Sequence, residues 1–290
     1  MSNSITLFQK YIDKLDEVYK QASVTADLDM DSTLVQAGAN ANEIIIPKMS
    51  MDGLGDYSRS SGYVAGDVTL TNETVQCNYD RGRKFTVDAM DNAETAGVAF
   101  GRLSAEFIRT RTTPELDAFT FATLAGTSGI SKATAGTYST GTDWLDALVL
   151  AQSTMDEDEV PAENRILYIT PTGFNAIMAV DTTKSKEVMA SFSKVVKVPQ
   201  GRFYTAIDLY DGTTSGETAG GYVKDASGKD INFMIVQKDA VMKHPKHTVN
   251  KVVTPEANQS TDGWMFFYRA YGLVDVYENK VAGIYLSNKA

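Results

Sequence analysis

His244 and His247, the chain's two histidines, stand three apart in the run HPKH. Two imidazoles at that spacing can begin a zinc site, but a closed site takes four ligands, usually completed by cysteines or further histidines. Pro245 opposes a helix that would align them, and no cysteine lies nearby, so the pair reads as a turn with two exposed histidines. Asp27, Asp29 and Asp31 imitate the opening of a calcium-binding loop. The imitation stops at Ser32, where the loop needs glycine, and at Gly38, where it needs glutamate, so this is a solvated acidic loop. Asp156, Glu157, Asp158, Glu159 and Glu163 supply carboxylates without an apolar run that would raise one pKa above another, and acid/base catalysis needs that asymmetry. The run reads as a solvated helix end. GTTSG at Gly212 to Gly216 has the wrong spacing for a nucleophile elbow, and no glycine-rich run leads into Gly-Lys-Ser/Thr. The sequence therefore offers no catalytic, cofactor-binding or metal site. A soluble α+β enzyme would require a convergent polar constellation that is missing.

The elements around these residues look mechanical. Asp91 and Glu94 have the spacing of an N-cap and its N3 partner, and Ala96, Phe100, Leu103 and Phe107 follow on one helical face. Gly126 is placed for a left-handed stop. A helix over Ala93 to Ala125 would span roughly 50 Å at about 1.5 Å per residue, with Pro114 kinking or breaking it and Thr112 to Glu115 able to restart it. Ser4 to Ala22 reads as an amphipathic helix with Ile5, Phe8, Ile12, Leu15 and Tyr19 on one stripe. Asp27 to Glu43 is polar and poorly periodic. Met51 to Asp67 carries four glycines and reads as loop. Val68, Leu70, Val75, Cys77 and Tyr79 read as strand, with a change of face that a bulge at Asn72 to Thr74 would explain. Asp80-Arg81-Gly82 reads as a hairpin turn, with Phe85 and Val87 on the return strand. The result is a two-stranded flap with almost no core, and such a ribbon is marginal alone.

Beyond Gly126 a Gly/Ser/Thr-rich stretch marks a boundary, after which helices and strands alternate as in an α/β body. Asp143 would cap a helix carrying Trp144, Leu148, Ala151 and Met155. Arg165 to Thr170 and Ile231 to Val236 read as apolar strands, Pro171 to Val180 as a helix, and Asp211 to Asp230 as surface loop. Trp264 to Tyr277 could run as one long strand, and Val281 to Ser287 as the last.

Length and charge set the remaining bounds. A chain of 290 residues can bury a substantial core, and its single cysteine, Cys77, excludes an intrachain disulfide. The first residues lack a basic region followed by an apolar run, and no stretch approaches the ~20 apolar residues of a membrane span, so a soluble cytoplasmic protein is expected. A net charge of −10 without a visible Lys/Arg cluster argues against a protein that grips nucleic acid.

Several runs together resemble major capsid proteins of tailed bacteriophages. They are DRGRKFTVDAMDNAET at Asp80 to Thr95, EFIRT at Glu106 to Thr110, PELDA at Pro114 to Ala118, VPQGRF at Val198 to Phe203, PEAN at Pro255 to Asn258, and FYRAYGLVDVY at Phe267 to Tyr277 with GIY at Gly283 to Tyr285. The resemblance spans most of the chain. It implies the α+β fold of Hong Kong 97-type shells: an N-terminal arm over 1–50, an extended loop over 51–88, a peripheral domain with a spine helix over 89–140 and 263–278, and an axial domain over 141–262 and 279–290. It also implies a subunit that assembles with itself into hexamers and pentamers of an icosahedral head. Such a head encloses double-stranded DNA without sequence-specific binding and is built in the host cytoplasm.

In that setting Ile5, Phe8, Ile12 and Leu15 of the arm, Leu54, Tyr57 and Tyr63 of the loop, and Arg81 and Arg83 at its base are the candidate inter-subunit contacts. A portal and a decoration protein are further family partners. Some such shells join a loop lysine covalently to a neighbour. Met49 to Arg83 contains no lysine, leaving Lys84 at the flap's base, so a non-covalent lattice is expected. Arm-like sequence begins by Ser4 with no scaffolding segment ahead of it, which implies a separate scaffolding protein. An encapsulin-type nanocompartment shell, with the same fold and other cargo, is the nearest rival.

Overall fold

The computed structural model describes residues 20–30, 43–94 and 102–290. The stripe of Ile5, Phe8, Ile12 and Leu15, and Ala96 and Phe100 of the expected long helix, lie outside the described residues.

The body is built on a five-stranded sheet. Its order is β4 (Ser131–Ala133), β12 (Ile284–Asn288), β9 (Ile231–Gln237), β5 (Arg165–Ile169) and β6 (Lys194–Lys197). β5, β9 and β12 are buried throughout, as expected of strands covered on both faces. The period-2 alternation of strand side chains divides them between two cores. Ile166, Tyr168, Met234, Val236, Ile284 and Leu286 pack with Phe121 and Leu124 on one side. Leu167, Ile169, Phe233, Ile235 and Tyr285 pack with Trp144, Leu148, Met155 and Ile177 on the other. That second layer comes from α4 (Gly141–Glu157), α5 (Pro171–Val180) and α6 (Thr183–Ala190), of which only α6 contributes no fully buried apolar side chain. α4 starts three residues earlier than expected. Thr140 is its cap and accepts from the Asp143 N–H, while Asp143 accepts from the Thr140 N–H, so Asp143 is the N3 half of a capping box. The last strand starts at Ile284 rather than Val281, after a 3-10 segment. The Asp211 to Asp230 stretch is not all loop, since β8 (Tyr222–Lys224) pairs with β7 (Ile207–Leu209).

The spine ends in α2 (Leu103–Phe107) and α3 (Thr113–Gly126), joined by a π-helical turn over Ile108–Thr112. Pro114 accounts for it. Proline has no N–H to donate and its ring crowds the carbonyl one turn back, and a wider turn just before it relieves both. The Thr113 N–H accordingly reaches back five residues to the Ile108 carbonyl. Gly126 is not a left-handed stop; the positive φ falls at Gly129 instead.

Against this spine lies a three-stranded antiparallel sheet in the order β10 (Val241–Val253), β11 (Gly263–Val276), β3 (Tyr79–Asp88). Phe107 of the spine meets Phe85, Phe266 and Tyr268 of the sheet edge-on. Asp80-Arg81-Gly82 is therefore not a turn, because it lies inside β3 and pairs with Ala270, Arg269 and Tyr271. Gly82 is required for close approach: a Cβ there would sit 2.9 Å from the Tyr268 carbonyl oxygen. HPKH is likewise not a turn but a bulge in β10 between Pro245 and His247. Nor is Asp91 an N-cap, since α1 (Ala89–Glu94) begins earlier and the Asp88 carboxylate accepts from the Met90 N–H at 2.9 Å.

The flap is the antiparallel pair β1 (Glu43–Met51) and β2 (Val68–Gln76), closed by residues 52–67. It thus spans 43–76 rather than 51–88, and takes its first strand from what the sequence suggests is arm. Its ladder is unbroken from Glu43↔Gln76 to Met51↔Val68, so there is no bulge at Asn72 to Thr74.

Candidate functional site

The flap's two faces have different surroundings. At its base Val75 and Ile46 pack with Met242 of β10 and Leu273 of β11. Lys48 pairs there with Glu73 at 3.2 Å and with Glu278. Farther out, on the opposite face of the ribbon, Met49 stands across from Leu70 and Met51 from Val68. Those four side chains are 57, 64, 66 and 65 % exposed respectively, an apolar cross-strand patch that the described residues leave uncovered. The change of face between Leu70 and Val75 is thus real, but its cause is a change of what each face meets.

The tip continues the exposure. Leu54 is fully exposed, and Tyr57 and Tyr63, edge-on at 4.9 Å between centroids, are exposed as well. Contiguous exposed apolar surface of this kind marks an interaction site. Among the expected contacts, Leu54, Tyr57 and Tyr63 fall together on this flap, while Arg81 and Arg83 do not. The Arg81 Nε donates to Glu115 at 2.8 Å, and the Arg83 Nη2 donates to the Thr218 carbonyl at 2.9 Å. Both line an 820 Å³ cleft between β3, the spine and the 210–221 loop. Tyr79 also donates to Glu115, at 3.2 Å, and burial, reinforced by that carboxylate, raises its pKa well above the ordinary phenol value.

A second set of residues pins the chain's early segment to the body. Asp117 of α3, fully buried, accepts from Ser23 Oγ at 2.8 Å, Thr25 Oγ1 at 2.7 Å, and the N–H groups of Val24 and Thr25. Arg202 completes the clasp, donating to Asp117 at 2.9 Å and to the carbonyls of Gln21 and Ala22. Val24 and Leu28 then enter the subunit's own core, and Asp29 pairs with Lys243 at 2.7 Å. The segment after Lys20 is therefore part of the body, and Lys20 to Ala22 lies outside any helix. Sequence reading missed this clasp. The signal was present in PELDA and VPQGRF: an acid inside an apolar helix needs a partner.

Among the described residues no group of three or more His, Cys, Asp or Glu could hold a metal ion. His244 is half-buried on one side of the bulge and His247 is exposed on the other. Asp156 pairs with Arg165 at 2.7 Å, leaving the acidic helix end as solvated surface.

No family model matches the sequence, and no curated protein matches it. Solved structures do. The structure from Mycobacterium phage Che8 is 13 % identical, with 97 % of this chain and 98 % of that one covered at a TM-score of 0.65. The mature capsid of bacteriophage PhiM1 is 11 % identical, with 97 % and 91 % covered at a TM-score of 0.67. A virus-like particle from Pyrococcus furiosus is 10 % identical, with 85 % and 86 % covered at a TM-score of 0.52. These likenesses run over nearly the whole length of this chain and of the phage structures, and the chain has the α+β Hong Kong 97-type fold.

Proposed function

We propose that the chain is a major capsid protein, the structural subunit of a tailed-phage head. It assembles with itself into hexamers and pentamers around double-stranded DNA, within the host cytoplasm, and carries no catalytic activity. The observation that carries this reading is the flap, whose outer apolar face and tip are left exposed among the described residues although the body beneath has its own buried core. A closed shell covers such a surface with the neighbouring copy, using one interface repeated with small angular variation. The acidic balance of −10 suits a wall that contains DNA without holding a sequence. A scaffolding protein, a portal and a decoration protein are the partners this role calls for. Among the described residues no helix is long and apolar enough to cross a membrane.

The lattice is read as non-covalent. The flap's tip has no lysine, and Lys48, which the structure places on its first strand, is occupied by Glu73 and Glu278. Expression of the chain followed by electron microscopy is the test. Closed particles or capsomers are expected, which dissolve in hot denaturant to a single band near 31.5 kDa. A protein that stays monomeric at high concentration in sedimentation overturns the reading. A nanocompartment shell is the second reading, favoured by the likeness to the Pyrococcus furiosus particle. Particles from infected cells that hold a protein cargo and no DNA would select it.

A further inference from the structure

The cleft that β3, the spine and the 210–221 loop enclose has a volume of about 820 Å³, within the size range of small-molecule sites. Part of its wall is aromatic: Phe85 and Tyr268 of the sheet meet Phe107 of the spine edge-on, 4.9 and 5.8 Å between centroids. The rest is ionic. Four arginines and four carboxylates line it, but the two sets do not cancel. Arg269 and Arg109, from outside the lining, take up Asp80 and Glu106 at 2.6 Å each. Asp211 is held within its own loop, accepting from the Thr213 and Thr214 N–H groups at 2.7 and 2.8 Å. Glu115, only 8 % exposed, accepts both the Tyr79 hydroxyl and the Arg81 Nε on Oε1, leaving Oε2 without a hydrogen bond among the described residues. Arg83 bonds a carbonyl and Arg111 is exposed, and neither has a carboxylate partner among the described residues. The loop is shaped to Arg83. A Cβ at Gly212 would stand 2.6 Å from its Nη1, and one at Gly220 3.3 Å, and both glycines have positive φ.

This combination selects a ligand. Guanidinium forks match phosphate oxygens in pairs, aromatic rings take a flat base, and a buried carboxylate oxygen takes a hydroxyl or an amine. An inorganic anion would use only the first of these, and an apolar molecule only the second. We propose that the cleft binds a nucleoside phosphate, with its phosphates toward Arg83 and Arg111, its base against the ring wall, and Glu115 accepting from the sugar or the base. A free nucleotide and a nucleotide within a nucleic-acid strand share that chemistry. A ligand there touches β3, the spine and the body's loop at once, so it fastens the three-stranded sheet to the body. The lining belongs to a single copy of the chain, so the site stands or falls separately from the shell reading. Sequence reading missed it because its walls come from β3, the spine, the 210–221 loop and β11.

The test is calorimetric titration of the purified full chain, with thermal melts alongside. ATP is expected to bind with a Kd below about 100 μM and to raise the melting temperature. Adenosine alone and inorganic tripolyphosphate alone should each bind at least about tenfold more weakly, since each fills one part of the site. Arg83→Gln and Arg111→Gln should each weaken ATP at least about fivefold. Arg111 is exposed and holds nothing among the described residues, so its variant keeps the test open if Arg83→Gln fails to fold. Lys251→Gln, a cation outside the cleft, should leave ATP binding unchanged. A 5′-phosphorylated tetradeoxyadenylate separates the two sources: binding tighter than that of ATP, and lost in the same variants, assigns the site to a nucleotide within a strand, and weaker binding to a free one. The proposal is overturned if neither ATP nor the oligonucleotide binds at about 1 mM. Tripolyphosphate that binds as well as ATP, or ATP binding unchanged by Arg111→Gln, overturns it as well.

Discussion

The five-stranded sheet and the flap are both β-structure, yet they solve opposite problems. β5, β9 and β12 bury every residue between two apolar layers of the same chain, so their stability is intramolecular. β1 and β2 bury only their base, and their outer half presents Met49, Met51, Val68 and Leu70 to solvent. A two-stranded ribbon with one bare apolar face gains little by itself. The difference separates folding from assembly: substitutions in the sheet should act on whether the subunit folds, and substitutions in the flap on whether folded subunits join.

The strongest way to break this division is at its buried side. Phe121 meets Tyr168 and Phe203 edge-on and is fully buried. Phe121→Ala should cost about 3 to 5 kcal/mol, and a thermal melt should show it plainly. Arg202→Met removes the cation from a buried carboxylate that keeps its other donors. The loss should be about 3 kcal/mol or more, and limited proteolysis should cut near Gln21 to Thr25 before the body unfolds. An unchanged melting temperature would mean that the early segment is not part of the body.

A smaller effect sharpens the boundary at the flap's base. Burial holds the Asp275 carboxyl above the ordinary carboxylate range, opposed by the Val276 N–H and reinforced by Glu73 of the flap. A group whose folded pKa is raised contributes stability below its unfolded pKa and loses it as pH rises through the folded value. Asp275→Asn should therefore match wild type in acid and become the more stable of the two toward neutral pH. The gain should stay under about 1 kcal/mol for so partly exposed a group. A melting-temperature difference that does not change with pH would contradict this. The least effect on stability belongs to the tip: Leu54→Asp with Tyr63→Asp should shift unfolding by no more than about 0.5 kcal/mol, yet prevent particle formation. Normal particles from that variant would remove the flap from the interface.

Local pattern was enough for a good part of this molecule. The buried runs RILYI and INFMIVQ, the proline that opens α5 and the long aromatic strand β11 were all legible, because continuous apolar sequence and proline chemistry act over a few residues. A flap was expected as well, but from the wrong strands, since the pattern joined Val68 to Tyr79 with Phe85 and Val87 whereas β2 pairs with β1; the resemblance placed the fold. What the sequence could not settle was pairing. Asp80-Arg81-Gly82 has turn composition, but its glycine serves a close contact with a strand almost 190 residues away, and only the partner reveals that. Asp117 and Arg202, and the cleft's Arg83 and Arg111, are likewise brought together only in the folded chain. Hydrophobic periodicity is set by each segment's own backbone geometry, whereas charge pairing and strand register depend on which distant segment arrives, and that was decided only when the chain closed on itself.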